Sequence, residues 1–300
     1  MPTLAFATDS RHPNGGDDDT DLRACLTEAG ISVELPVWDD PNIDWKKYDL
    51  ILPRSIWDYP SKHPAFLTWL ERLKRLGAPV QNPTPLLAWN SNKVYLKELS
   101  EAGVPVLKTR WEAPKSKSDL EEIVGTLSNQ HEWILKPSVS SGADLTLRYH
   151  PAQTGSAKPV QGWINSWVGE KLNQKDCLLM IQRFEKEILK SGETSLLYFG
   201  GIFQYAIRKQ AQGEDFRTQP NFGAKLTQVK ATDDQLNVGN QVLKHVHRID
   251  KTLYARVDLI QSEGKPACIE AELVEPNLFL RYTDSKQNHL ALAAEIKKLV

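Results

Sequence analysis

Two apolar, β-rich runs most constrain this chain. They are Tyr254-Ala255-Arg256-Val257-Asp258-Leu259-Ile260 and Ala267-Cys268-Ile269-Glu270-Ala271-Glu272-Leu273-Val274, flanking Ser262-Glu263-Gly264-Lys265. Runs of this kind about a short Gly-containing link read as a β-hairpin. Successive strand side chains point to opposite faces, so Arg256 shares a face with Asp258, and Glu270 with Glu272. Val257, Leu259, Ile269, Ala271 and Leu273 are apolar and mark the other face as the buried one.

Whether the acids meet depends on the turn. A three-residue loop, Glu263-Gly264-Lys265, sets Asp258 directly across from Glu270, with Gly264 at positive φ, and is the expectation. A two- or four-residue loop turns the aspartate away unless a bulge restores the register. Carboxylates gathered on one patch repel one another and need a cation, and oxygen-only ligands suit Mg²⁺ or Mn²⁺. A solvated acidic sheet face would use the same residues.

Composition narrows the classes. A chain of 300 residues buries a large core and is expected to divide into two or three subdomains. Its formal net charge of −1 indicates neither a nucleic-acid nor a membrane partner. Cys25, Cys177 and Cys268 lie far apart, which argues for a reducing, cytoplasmic setting over a disulfide framework or a zinc site. Met1 to Asp9 lacks the features of a signal peptide, and no apolar run approaches the roughly 20 residues of a membrane span.

Read in order, Leu4–Thr8, Ile31–Trp38 and Tyr48–Pro53 are predicted strands. Asp17 to Asp21 opens a helix reaching Gly30, its acids suiting the helix dipole, and Pro64–Leu76 forms another. The alternation predicts a small parallel, doubly wound domain. At the end of its third strand, where such sheets bind ligands, lies Arg54-Ser55-Ile56-Trp57-Asp58-Tyr59-Pro60. Arg54 there either meets a substrate carboxylate or is a surface arginine under an aromatic lid. Asn82-Pro83-Thr84-Pro85 is a break. A helix over Trp89–Leu99 follows, capped by Asn90 or Ser91, with Lys93 in a first turn that disfavours a cation unless an anion shares the site. Glu132–Pro137 is a strand ending in Lys136 and followed by the small-residue loop Ser138–Ala143, which lacks the Gly-Lys-Ser/Thr of a Walker A loop. Strands are expected over Cys177–Phe184 and Leu196–Tyr205, then a polar loop from Gln210 to Phe222 bearing Arg217 and Asn221. Helices over Asp233–His247 and His289–Val300 complete the chain.

Lys93, Ile134-Leu135-Lys136-Pro137 with its Ser/Gly loop, Gln182-Arg183-Phe184 with Glu193, Arg256-Val257-Asp258 and Glu270-Ala271-Glu272 come in an order that resembles the ATP-grasp superfamily along nearly the whole chain. Arg54–Tyr59 and the Asn-Pro step resemble the pre-ATP-grasp domain of bacterial glutathione synthetase-like enzymes. Trp57-Asp58-Tyr59-Pro60 and the ending Glu-x-Glu-x-x-Glu-Pro-x-Leu are similar to the D-cycloserine cyclo-ligase group. The resemblance implies an α/β chain with α+β character in its ATP-binding part. A doubly wound pre-ATP-grasp domain would take residues 1–82, a central ATP-grasp subdomain with the phosphate-covering lid 83–181, and a C-terminal subdomain with the metal site 182–300.

The resemblance also implies roles. Lys93 and Lys136 would contact the ATP phosphates under a lid of Ser140, Ser141 and Gly142. Gln182, Arg183 and Phe184 would meet the adenine through main-chain groups, and Glu193, with Glu187 as rival, the ribose. Asp258, Glu270 and Glu272 match the ligands of Mg²⁺ or Mn²⁺, although the last is usually Asn in the family. Arg256 would stabilise the transferring group, Arg208 and Arg217 the substrate carboxylate or γ-phosphate, and Arg54, Asp58 and Asn221 would line the substrate pocket. Phosphoryl transfer depends on positioning and charge neutralisation, which such a set provides without a Ser/His pair. The implied activity is ATP-dependent carboxylate–amine ligation of a small amino acid-like substrate, with a homodimer as the family's frequent state. Intramolecular ring closure and a silent nucleotide-binding regulator are the alternatives.

Overall fold

The computed structural model describes residues 1–153, 157–212, 223–283 and 286–300. It opens with β1 (Thr3–Thr8), α1 (Thr20–Glu28), β2 (Ser32–Glu34), β3 (Leu50–Ser55) and α2 (His63–Leu76). The strands form a parallel sheet in the order β2-β1-β3. Leu4 and Phe6 pack with α1 on one face and Ala5 and Ala7 with α2 on the other, which is why β1 reads as a continuous apolar run. The second strand is shorter than Ile31–Trp38, because Pro36 has no N–H to donate and only an isolated Thr8–Val37 bridge resumes the pairing. The third runs past Pro53 through Arg54 and Ser55.

The acidic opening does not act as a cap. Asp17–Asp19 form one 3₁₀ turn without a side-chain cap bond. Asp18 instead accepts the Leu278 N–H at 3.1 Å, and Asp19 holds Arg54 at 2.8 Å, so these acids tie the first domain to the far end of the chain.

Next come α3 (Thr84–Asn90), α4 (Tyr95–Glu101), β4 (Thr109–Glu112), α5 (Lys117–Gly125), β5 (Trp133–Pro137), β6 (Leu147–Tyr149), α6 (Ala157–Glu170) and β7 (Leu179–Arg183). The antiparallel sheet β4-β7-β5-β6 packs Leu135 and Ile181 against Leu120 of α5 and Trp163 and Trp167 of α6. The single helix expected over Trp89–Leu99 is two helices. Asn90 caps neither of them. Its amide bonds the Ala271 carbonyl at 2.7 Å and the Leu273 N–H at 2.8 Å, and the Lys93 N–H donates to Ser138 at 2.8 Å.

The last part comprises α7 (Ile188–Ser191), β8 (Glu193–Phe199), β9 (Ile202–Gln210), β10 (Lys225–Val229), α8 (Asp233–Val246), β11 (Tyr254–Ser262), β12 (Lys265–Glu272) and α9 (Gln287–Lys297). The strand expected over Leu196–Tyr205 is a hairpin, since Gly200-Gly201 turns β8 into β9. The antiparallel order is β10-β9-β8-β11-β12. One face, with Leu196, Val257 and Ala271, packs on α8; the other, with Phe199, Tyr205 and Tyr254, packs towards the first domain.

Buried polar bonds fasten the β11–β12 hairpin to what precedes it. The Asn82 amide donates to the carbonyls of Tyr254 at 2.9 Å and Leu273 at 2.7 Å and accepts the Leu253 N–H at 2.7 Å. Tyr95 accepts the Ala271 N–H at 2.9 Å, and the Tyr254 hydroxyl donates to the Pro53 carbonyl at 2.9 Å.

Candidate active site

The hairpin turn differs from the three-residue expectation. Ser262 pairs with Lys265, leaving only Glu263 and Gly264 in the turn, at φ 51° and 78°. Positive φ at both positions marks the turn type whose twist suits a hairpin. The register slips by one residue further on: Leu259 faces Cys268 while Asp258 faces Glu270, with Ile269 bulged between. That bulge restores the pairing that the two-residue turn alone would lose. Asp258 therefore stands across from Glu270, and Arg256 across from Glu272.

Oxygen atoms of Asp258, Glu270 and Glu272 all lie within 4.8 Å of one another. An oxygen-only donor set this tight, from two adjacent strands, fits a hard divalent cation. The protein's own cations crowd it. Arg256 forks onto Asp258 at 3.0 Å and also meets Glu272, and Lys93 reaches Glu270 at 3.0 Å. Lys209 joins Asp258 at 3.3 Å and also pairs with Glu193, and Ser195 donates to Asp258 at 2.6 Å. Despite burial, these partners hold the Asp258 carboxyl well below its usual range. Burial pushes Glu272 up to about 8, with Glu270 and Asp258 adding to it and Arg256 opposing.

These groups line one cavity of about 590 Å³, a size suited to a nucleotide-class ligand. Lys136 also lines it and has no ion-pair partner among the described residues. Burial, and then Lys93 beside it, hold its amine below the usual value against the pull of Glu270, which an anion in the cavity would reverse. Ser140, Ser141 and Gly142 form a rim of the same cavity. Lys93 donates to the Ser140 carbonyl, and Ser141 donates to the Trp57 carbonyl at 3.3 Å. Lys93 thus connects the loop to the acidic trio, and Ser141 connects it to the first domain.

Gln182, Arg183, Phe184 and Glu193 open onto the cavity as well. The Phe184 N–H is taken by the Glu132 carbonyl at 2.9 Å, which removes that donor from a base at the strand end. Glu187 does not line the cavity: it is half-exposed at the start of α7 and bonds Lys190 at 3.1 Å. Gly192 lets Glu193 reach the site, since a Cβ there would collide with the Lys209 carbonyl.

Other expected residues lie elsewhere. Asp58 is buried away from the cavity, accepting the Trp38 indole N–H at 2.8 Å and pairing with Lys62 at 2.7 Å, so it latches the first domain instead of facing substrate. Arg208 is exposed and shares the β9 face of Ala206, turned from the site by strand alternation. Arg54 borders the cavity, but its Nε and Nη2 are committed to Asp19. Arg217 and Asn221 fall outside the described residues.

Lys209, Glu275 and His12 escaped the sequence reading. Lys209 continues the inward alternation of Tyr205 and Ile207, a signal hidden by ending the strand at Tyr205. Glu275 lines the cavity at 7% exposure, and burial pushes its carboxyl up to about 7. His12 lines it too, its Nδ1 at 2.8 Å from Asp9 and its ring edge-on to Trp57.

Comparison with known proteins places this geometry. Residues 4–82 match the family model for the N-terminal domain of D-cycloserine synthetase DcsG. The chain is 28% identical over 293 residues to the cycloserine biosynthesis protein DcsG of Streptomyces lavendulae, covering 95% of each. The crystal structure of D-cycloserine synthetase DcsG superposes with a TM-score of 0.82 at 25% identity, over 99% of this chain and 100% of that one. D-alanine–D-alanine ligase from Bacillus anthracis, complexed with ATP, shares the fold at a TM-score of 0.68 and 12% identity, over 100% of this chain and 97% of that one. Among the described residues no helix is long and apolar enough to cross a membrane. The chain has the fold of ATP-grasp ligases and is similar to D-cycloserine synthetase along nearly its whole length.

Proposed function

We propose that this ligase activates the carboxylate of a small amino acid-like substrate as an acyl phosphate and joins it to an amine-type nitrogen, releasing ADP and phosphate. The observation that carries the reading is the convergence of Asp258, Glu270 and Glu272 with Arg256, Lys93, Lys136 and Lys209 in one cavity. Lys93 and Lys136 would meet the phosphates beneath the Ser140–Gly142 loop, Gln182 to Phe184 would flank the adenine, and Glu193 would take the ribose hydroxyls. Mg²⁺ held by Asp258, Glu270 and Glu272 would neutralise phosphate charge as it shifts to the leaving ADP.

In the first step a substrate carboxylate oxygen bonds to the γ-phosphorus and the bond to the ADP oxygen breaks. In the second, a nitrogen attacks the acyl carbon, inorganic phosphate leaves, and the nitrogen gives up a proton. The Arg256 guanidinium, held by Asp258 and by the Asn277 carbonyl at 3.0 Å, would stabilise negative charge in either step. The test is ADP release with Mg²⁺ across amino acids and their O- and N-substituted analogues. A chain that binds ATP yet releases no ADP with any of them would be a silent regulator.

A second reading is ring closure within one substrate. The likeness to the cycloserine biosynthesis protein over 95% of both chains favours it. Product mass decides: ring closure gives a single substrate less one water, whereas ligation gives the sum of two substrates less one water.

A further inference from the structure

We infer that His12, oriented by Asp9, accepts the proton that the attacking nitrogen gives up when the acyl phosphate is opened. This role rests on the ligase reading, whose second step releases that proton. Asp9 follows directly on β1, and its N–H donates to the Ser55 carbonyl at the end of β3 at 2.8 Å. Ligands of open α/β sheets bind beyond those strand ends. The Asp9 side chain is fully buried and fixes the loop that follows. One of its oxygens accepts the backbone N–H groups of Arg11 at 2.9 Å and His12 at 3.0 Å. The same oxygen meets Nδ1 of the His12 ring at 2.8 Å. An ionised carboxylate only accepts, so Nδ1 carries the hydrogen and Nε2 keeps its lone pair. The exposed Arg11 is the other charge on this carboxylate, at 3.5 Å.

The ring lines the cavity where the Ser140–Gly142 loop meets the first domain. It packs edge-on to Trp57 with centroids 4.6 Å apart, and Gly16 makes room for that indole, since a Cβ there would come within 3.1 Å of it. The Trp57 carbonyl holds Ser141 at 3.3 Å, and the neighbouring Ser140 carbonyl holds Lys93, which reaches Glu270 at 3.0 Å. Contacts thus run unbroken from His12 to the acidic trio.

A proton acceptor needs a free basic atom on this cavity. The other first-domain acids that line it are engaged: Asp17 by Arg281, Asp18 by the N–H groups of Leu278 and Arg281, and Asp19 by Arg54. Glu193 is paired with Lys209, and each of the trio has a cation of its own. The Nε2 of His12 has no hydrogen-bond partner among the described residues. Glu275 is the rival acceptor, and the test separates the two. As the C–N bond forms, phosphate departs with the electrons of the C–O bond. The pair of one N–H bond stays on nitrogen and its proton moves to Nε2. The imidazolium is stabilised by Asp9 and, with 39% of the side chain exposed, returns the proton to solvent.

The experiment separates the two steps in His12→Gln, with an amino acid that stimulates ADP release as substrate. Movement of labelled oxygen from the β–γ bridge of ATP to the non-bridging β-phosphate positions follows the first step, and product formation follows the second. Product formation should fall about 10²-fold, while label movement stays at least at the wild-type level. Added hydroxylamine, which opens acyl phosphates unaided, should give hydroxamate at the wild-type rate, and ADP·Mg²⁺ binding by calorimetry shows that the variant is folded. A fall of both steps together, or unchanged product formation, overturns the inference while leaving the ligase reading intact. The same split in Glu275→Gln with none in His12→Gln also overturns it, since the proton then goes to Glu275. Absence of label movement and of ADP release in the wild type removes the ligase reading, and this inference with it.

Discussion

Asp258 and Glu270 stand directly opposite each other on β11 and β12, although the turn joining their strands has only two residues. The compensation is local. Ile269 bulges out between Glu270 and Cys268, and the extra residue shifts every later pair by one. Bulges re-aim side chains in this way beside functional sites. Here it brings together two of the three carboxylates that we propose hold the ion.

Glu270→Gln removes one charge from that pair and keeps the shape. Lys93 then loses its acid partner at 3.0 Å, but remains bonded to the Ser140 carbonyl. Turnover measured as ADP release should fall by 10²-fold or more, with little change in circular dichroism. Retention of full activity would remove Glu270 from the ion site.

Lys209 lies at 5% side-chain exposure between Glu193 and Asp258. Lys209→Met leaves two buried acids without it, which should destabilise the fold by about 3–5 kcal/mol. Adding Glu193→Gln should restore part of that stability and none of the ADP release. If the single variant melts like the wild type, the lysine is not the counter-charge its geometry makes it.

Much of this was legible from residue order alone. The alternation in Tyr254–Ile260 placed Arg256 and Asp258 on one face, and the helices around α2 and α8 follow their apolar spacing. What strand parity could not reveal was the bulge, since a one-residue insertion carries no signature in Cys268-Ile269-Glu270. Asn90 looked like a helix cap because Asn suits that position. Its partners, Ala271 and Leu273, are about 180 residues away, and only the tertiary fold brings them within reach. Asp19 and Asp58 were misread for the same reason: an acid near a helix start or an aromatic cluster does not show whether a distant Arg54 or a nearby Trp38 will claim it.

The acids also set a pH dependence. Unfolded glutamate titrates near 4.5, whereas the fold holds Glu275 protonated up to about 7 and Glu272 up to about 8. Between those limits the folded chain binds more protons than the unfolded one, so stability falls as pH rises through the window. The metal-free protein should melt at a higher temperature near about pH 5.5 than near about pH 8, and Glu272→Gln should flatten the difference. Mg²⁺ with ADP should stabilise more at the alkaline end, where the cation replaces no proton. A melting temperature that rises from pH 5.5 to 8 contradicts the assigned direction.

Asn82 tests how the site is anchored. Its amide occupies three backbone groups, the carbonyls of Tyr254 and Leu273 and the N–H of Leu253, and it is fully buried. Those groups flank both strands that carry the acids, just beyond Arg256 on β11 and Glu272 on β12. Asn82→Ala strands all three without water, at a cost of about 3 kcal/mol or more. Asn82→Asp keeps the acceptor for Leu253 but sets a carboxylate against two carbonyls, so it should be no better. Both variants should lower the melting temperature, and both should weaken Mg²⁺·ADP binding by calorimetry although residue 82 touches neither. Loss of stability with unchanged nucleotide binding would mean that the β11–β12 hairpin holds its shape without this anchor.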